Sequence, residues 1–384
     1  MHKAPPIWFI AGIKPPQLVM PQRASEEFVK LFRVLYIAIL APIIVGCGSN
    51  ESPQEAGKDA PALTHDAAFP KVVWDASLWG NPRAGTVAVD VLAREVEERT
   101  NGAWQINLHY GEAISKAREN LDGIAIGAFE VAMVCNFYHP QKNPALMVLT
   151  MPFLPMETDA KSKAVREAVY AHPAVVAEFA RWDAMLYTST FLPQYEFMGR
   201  GEAPSSMADW VGMTVRAGGG IGDAMVLLGA TPTSSTATEV YTGVQQGTMD
   251  AAAFPFSYSH VAYRIHEVSD WYTNGMAPGS ADCPVVFSKT AYDKLPPQYH
   301  KVLHDVRSMV DAAQLQAYRD VDETNLPLLR NALLEVSFSP AMRNELRDSV
   351  GKRVIDEWIE ENQDTFDARG LVELAFEAAG STFK

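Results

Sequence analysis

The chain has 384 residues, 48% of them apolar and 20% charged, and a formal net charge of −14. That is enough to bury a sizeable core in more than one lobe, and it excludes a low-complexity protein. So acidic a chain is a poor partner for nucleic acid, and an anion-binding site on it has to be a local positive exception in a negative field.

Residues 21–47 carry the marks of an export signal. Arg23, Lys30 and Arg33 precede an apolar run over 34–46 that is short for a membrane span and suits a secretory h-region. The run ends at Cys47. Ile44-Val45-Gly46-Cys47 resembles a bacterial lipobox, which implies that Cys47 is lipidated and begins the mature chain; a plain signal peptide cut a few residues later is the other reading. Met1 and Met20 are both candidate starts. Residues 48–70, rich in Ser, Pro, Ala and acids, read as a flexible tether. Losing residues 1–47 removes five Lys/Arg and two Asp/Glu, which leaves 27 basic against 44 acidic side chains and a net charge of −17.

Folded sequence begins near Lys71. Residues 72–78 read as a strand, 82–100 as an amphipathic helix with Val87, Val91, Leu92 and Val96 on one face, and 105–110 as a second strand. A helix at about 117–126 and a strand at 131–135 follow. Strand, helix, strand, helix, strand predicts parallel crossovers and an α/β lobe, in which ligands sit beyond the carboxyl ends of the strands. Three loops are therefore candidates: Trp79-Gly80-Asn81, Gly111-Glu112 and the turn from Asn136 through Tyr138 to His139. Trp79 is either packing or an apolar wall over a ligand. Asn136 and Tyr138 either satisfy turn backbone groups or reach the ligand. His139, before Pro140, reads as structural.

A Pro-rich connection leads to helical sequence from 159 to about 185, interrupted at His172-Pro173, and to a strand at 186–192. Residues 193–200 are the expected crossing into a second lobe. They contain Tyr195 and Glu196, and Glu196 either accepts hydrogen bonds from a ligand hydroxyl or amine or neutralises Arg200 or Arg216.

The second lobe centres on residues 213–255, read as strand, Gly-rich turn, helix, turn, helix, strand. Arg216 lies in the first strand, just before Gly218-Gly219-Gly220, where its guanidinium emerges at a sharp turn. It is suited to hold a carboxylate through two parallel hydrogen bonds, and pairing with a structural Asp or Glu is the alternative. The glycines open a helix at about 223, whose N-terminus offers backbone N–H groups to an anion. Their Gly-x-Gly-x-Gly spacing is not a dinucleotide fingerprint, and no Walker lysine follows. Residues 256–263 begin a further helix, on which Tyr258 either reaches a ligand or packs in the core.

Residues 270–275 lead back toward the first lobe, where 284–288 read as a strand. From Pro296 a helical pattern runs for nearly thirty residues, with Val302, Leu303, Val306, Met309, Val310 and Ala313 at helical spacing, and helices at 340–363 and 371–379 complete the second lobe. Hydrolase, zinc-protease and redox motifs are missing from the sequence, and no cofactor is implied. Cys135 and Cys283 read as two free thiols, with a disulfide in an oxidising compartment as the other possibility.

The ordered blocks Gly212-Met-Thr-Val-Arg216, Leu228-Gly-Ala-Thr-Pro232, Glu239-Val-Tyr-Thr-Gly-Val-Gln-Gln-Gly247 and Met249-Asp250 resemble the substrate-binding proteins of tripartite ATP-independent periplasmic (TRAP) transporters, the DctP family, over most of residues 71–384. The resemblance implies an α/β, two-lobed, periplasmic-binding-protein-like fold of type II with a long helix spanning both lobes. Lobe I then comprises 71–192 plus 280–320, and lobe II comprises 193–279 plus 321–384. It implies a receptor that takes a small organic acid between the lobes and delivers it to TRAP permease membrane subunits, with Arg216 as the main carboxylate ligand and Tyr195 or Glu196 near a second contact. Where the family often has Gly-Gln-Glu-Asn after the aspartate, with the asparagine touching substrate, this chain has Ala251-Ala-Ala-Phe254. Phe254 puts an aromatic face where an amide is usual and leaves the acid open among sugar acids, hydroxy acids and sulfonates with a second group. An exported α/β hydrolase or lyase acting on a small acid is the competing reading.

Overall fold

The computed structural model describes residues 69–383. The leader, Cys47 and the tether up to residue 68 lie outside the described residues.

The chain opens as the apolar periodicity dictates, with β1 (Val72–Ser77), α1 (Val87–Arg99), β2 (Trp104–His109), α2 (Asn120–Ala125) and β3 (Val131–Met133). β1 pairs in parallel with both β2 and β3, the arrangement that alternating strands and helices require. α1 begins five residues later than the hydrophobic pattern predicts. A short 3-10 turn, Ala84–Thr86, precedes it, so Arg83 belongs to the strand-to-helix turn rather than to a helix.

The next elements are α3 (Asp159–Ala171), α4 (Pro173–Ala180), β4 (Ala184–Thr188), β5 (Tyr195–Gly199), β6 (Thr214–Arg216), α5 (Gly219–Leu227) and β7 (Thr231–Thr233). α6 (Val240–Gln246), β8 (Ala251–Pro255), α7 (Tyr258–Ala262), β9 (Trp271–Asn274), β10 (Val285–Ser288) and α8 (Lys289–Asp293) follow. Last come α9 (Pro297–Ala332), β11 (Leu334–Ser337), α10 (Pro340–Leu346), α11 (Lys352–Asn362) and α12 (Ala368–Ala378). β5, β7, β9 and β11 are strands that the sequence pattern does not announce. The predicted strand at 186–192 stops at Thr188, and residues 189–194 form a crossing segment.

Two sheets result, in the orders β2-β1-β3-β10-β4 and β11-β9-β5-β8-β6-β7. β10 runs antiparallel to β3 and β4. In the second sheet, β8 is parallel to β6 and antiparallel to β5. The chain passes between the sheets at 189–194, again at 275–284 and a third time through α9, giving the two-lobed, type II binding-protein architecture.

α9 spans 36 residues. Its apolar stripe (Val302, Leu303, Val306, Val310) is buried and packs against α1, while Leu329 near its far end joins the apolar cluster over the second sheet. Gln314 fastens the middle: its side chain accepts from Ala88 N at 2.8 Å and donates to Ala84 O at 2.8 Å. Met309, expected on the apolar face, is exposed instead. The C-terminal helices touch both predicted lobes, α11 packing on α5 and α12 on α3.

Cys135 and Cys283 are disulfide-bonded, which corrects the reading of two free thiols. The register explains it. Val134 N donates to Pro284 O and Asn136 N to Asp282 O, so the two cysteines form the non-hydrogen-bonded pair between them, the kind in which facing residues approach most closely.

Candidate functional site

Arg216 is the last residue of β6, between β8 and β7, at the carboxyl end of a parallel strand. It is among the largest fully buried side chains, at 1% exposure. Its Nε donates to Ser235 O at 3.1 Å, Nη1 to Ala253 O at 2.8 Å and Nη2 to Tyr138 Oη at 3.4 Å. Every one of these acceptors is a carbonyl or hydroxyl oxygen. The guanidinium carbon lies 4.3 Å from the ring centroid of Phe254 and 5.1 Å from that of Phe137. The partner acid weighed for it from sequence is not there: among the described residues Arg216 forms no ion pair, and Glu196 is engaged elsewhere.

Around this guanidinium lies a cavity of about 30 Å³. Six of the residues singled out from sequence line it: Trp79, Tyr138, Tyr195, Arg216, Phe254 and Tyr258. Tyr138, beyond the end of β3, reaches across to the second sheet, accepting from Arg216 and from Ala237 N at 2.8 Å. Trp79 packs edge-on against Tyr138, with ring centroids 5.8 Å apart. Tyr258 is tilted over Tyr318 of α9 at 4.8 Å. Burial raises the Tyr195, Tyr258 and Tyr263 hydroxyls above the usual phenol range, so they stay neutral donors and acceptors.

Two expected residues do not line the cavity. The Asn136 side chain is taken up by backbone groups: Oδ1 accepts from Phe137 N at 2.8 Å and from Asp282 N at 3.3 Å, and Nδ2 donates to Leu146 O at 3.3 Å. Glu196 is buried over the end of β9, where it accepts from Thr273 Oγ1 at 2.6 Å and from Gly275 N and Ala277 N at 3.0 Å each. These contacts draw the carboxylate toward β9, on the side of β5 away from β8 and β6, where Arg216 lies. Nor does it neutralise Arg200, which donates to Val244 O and Gln245 O. The Gly111-Glu112 loop also falls outside: Gly111 N donates to Gly80 O, and Glu112 accepts from Ala117 N.

The Gly-rich turn has a packing role in place of the expected anion cradle. A Cβ at Gly218 would lie 2.3 Å from the Phe137 ring, and one at Gly219, where φ is +56°, would lie 2.4 Å from Thr150 Oγ1. Gly220 N donates to that same hydroxyl at 3.0 Å. The helix N-terminus is thus pressed against residues 147–152 of the other lobe's sequence, a closeness only glycine permits.

Arg83, Phe137 and Tyr263 also line the cavity; Phe137 lies in the candidate loop 136–139 without being singled out, and the sequence pattern puts Arg83 inside a helix that in fact starts later. A signal existed, since a cation four residues after Trp79 at a strand end is a natural cavity residue. Tyr263 carries only apolar patterning and gives no such signal.

Burial lifts the Glu196 carboxyl to about 7, against the three hydrogen bonds that favour its charged form. A raised acid makes the native state bind more protons than the unfolded one between about 4.5 and 7, so its contribution to stability falls as pH rises through that window. His139 and His260, pushed down by burial to about 4 and about 3, act in the opposite sense below 6.5. The difference between two proteins isolates Glu196. Glu196→Gln is expected to gain stability relative to the native protein by about 2–3 kcal/mol between pH 5 and pH 8. Urea denaturation at several pH values measures this, and a pH-independent difference would refute it.

Residues 80–362 match the model of the DctP family, described as bacterial extracellular solute-binding protein, family 7. A solute-binding protein of Albidiferax ferrireducens is 27% identical over 242 residues, 60% of this chain and 68% of that protein. A monocarboxylate 2-oxoacid-binding periplasmic protein of Nostoc is 21% identical over 343 residues, 82% of this chain and 91% of the other. Among solved structures, a TRAP solute-binding protein of Rhodoferax ferrireducens in complex with copurified benzoate superposes with a TM-score of 0.73 at 18% identity, over 81% of this chain and 98% of that one.

Proposed function

The chain belongs to the DctP family of bacterial extracellular solute-binding proteins, and from that premise we propose that it is a receptor for a small organic acid anion, held between the two lobes by Arg216 and delivered to a TRAP-type permease. Family membership makes it a solute-binding protein acting outside the cytoplasm, not an enzyme. The observation that supports the ligand class is the state of Arg216: a buried guanidinium with five N–H donors, three hydrogen bonds and no carboxylate partner among the described residues. Burying a cation in this way is costly unless an anion completes it, and a ligand carboxylate supplies both the missing acceptors and the missing charge.

Phe254, Tyr138, Trp79, Tyr195 and Tyr258 serve as walls that exclude water and strengthen that contact. The monocarboxylate 2-oxoacids bound by the Nostoc relative and the benzoate copurified with the Rhodoferax protein both fit an acid with a short or flat body.

A cavity of about 30 Å³ admits little more than a water molecule, so entry of an acid requires the lobes to part. Among the contacts that would break are those of Tyr138 with Ala237 N and Arg216 and of Arg118 with Ser234 O. Ligand contacts made to both sides would drive re-closure about 189–194 and 275–284. The leader ending at Cys47 would export the chain, and lipidation there would anchor it through the tether near the permease.

The test is a thermal-shift screen over 2-oxoacids, hydroxy acids, sugar acids, sulfonates and aromatic acids. An acid at 100 times its Kd stabilises by about 2.7 kcal/mol. A folded protein whose melting none of these acids shifts would overturn the reading.

A further inference from the structure

We propose that Arg83 is a second anion-holding residue of the cavity, and that the ligand is a dianion with a flat apolar body, of the benzenedicarboxylate class, gripped by Arg216 at one end and Arg83 at the other. The inference rests on the receptor reading above. Arg83 follows β1 and Arg216 ends β6, so the two guanidiniums come from different sheets and meet at one cavity. Among the described residues, no Asp or Glu lines that cavity.

Arg83 is fixed in place without being neutralised. Its Nη1 donates to Trp79 O at 2.7 Å and to Asn81 O at 3.0 Å. Its Nε–H is buried with no acceptor, and so is the hydroxyl of Tyr263 beside it. Unmet buried donors, on a cation above all, are expensive to keep. An anionic group at this point would take up both.

The aromatic rings set the shape between the two charges. The Arg83 guanidinium lies 5.7 Å from the Trp79 centroid and 5.4 Å from that of Tyr263. Tyr263 stacks on Phe254 at 5.8 Å, with 16° between the planes, and Phe254 carries Arg216 at 4.3 Å. Two cations thus bracket a stacked ring pair whose faces compensate them only in part. A monocarboxylate neutralises one guanidinium and leaves the other without a counter-charge in a poorly screened space, whereas a dianion neutralises both. The ring walls complement a planar apolar body between its charged ends.

Isothermal titration of the whole protein with two matched pairs, benzoate against benzene-1,4-dicarboxylate and butyrate against succinate, tests this. The dianion of each pair is expected to bind at least about tenfold tighter, and the aromatic dianion tighter than the aliphatic one. Arg83→Gln should weaken the dianion about tenfold or more while changing the monoanion less than about threefold. Arg83→Lys, which keeps the charge, should retain most of the preference. Equal affinity for both members of each pair in the native protein, or an equal loss for both in Arg83→Gln, would show that Arg83 only packs and would overturn the inference while leaving the receptor reading intact. Should Arg83→Gln fail to fold, the native ratio and Arg83→Lys decide. Failure of a folded native protein to bind any organic acid would remove both readings.

Discussion

Arg216→Ala is expected to weaken binding of the acid found by the screen by about 2–5 kcal/mol, tens-fold to thousands-fold in Kd, because it removes one partner of a desolvated charge pair. Arg216→Lys should recover only part of this: an ammonium lacks the planar fork, and it cannot serve Ser235 O, Ala253 O and a carboxylate at once. Stability of the unliganded protein separates this role from a structural one. Arg216 has no acid to neutralise it among the described residues, so alanine gives up its contacts to two carbonyls and the Tyr138 hydroxyl but also relieves a buried charge. Its effect on melting without ligand should therefore be much smaller than its effect on affinity. Titration calorimetry and melting on the same samples check both, and an unchanged Kd would remove the clamp.

The second large effect concerns the fold. Arg166 of α3 and Asp282 form a buried pair at 3.0 Å, with side chains 1% and 0% exposed. Both reach the segments that pass between the sheets. Arg166 Nη2 donates to Leu192 O at 3.2 Å and to Ala281 O at 3.4 Å, while Asp282 accepts from Ser189 Oγ at 2.5 Å and from Tyr170 Oη. Arg166→Met leaves Asp282 charged and buried without its cation and should cost about 3–5 kcal/mol. For a protein of this size that lowers Tm by on the order of 10 °C. The double substitution Arg166→Met with Asp282→Leu should cost less than Arg166→Met alone, because no orphan charge remains. Thermal and urea denaturation provide the test, and a loss under about 1 kcal/mol for Arg166→Met would show that the pair does not fasten the crossings.

Much of the first lobe was legible in the sequence because its signals are local. Val87, Val91, Leu92 and Val96 announce α1 at helical spacing, and the alternation of strand with helix announces the parallel run of β1, β2 and β3. The end of β6 was equally legible, since Arg216 is a lone cation on a short apolar strand stopped by glycines. β5, β7, β9 and β11 were not. Short strands inside a mixed sheet owe their existence to their neighbours, and Tyr195–Gly199 is a strand because β8 and β9 flank it.

The sequence by itself determined the family, the two-lobed α/β architecture and the end of β6 as the place for a buried cation, all of which rest on ordered motifs and on periodicities of two and 3.6 residues. Only the tertiary structure decided which side chains share a cavity. It turned Glu196 to Thr273 and Asn136 to backbone groups, joined Cys135 to Cys283 across a strand pair, and brought Arg83 and Tyr263 to the cavity where Arg216 lies. The reason is physical: a side chain's direction depends on strand register and on where a helix begins, and a slip of one residue or a start displaced by five changes what it faces.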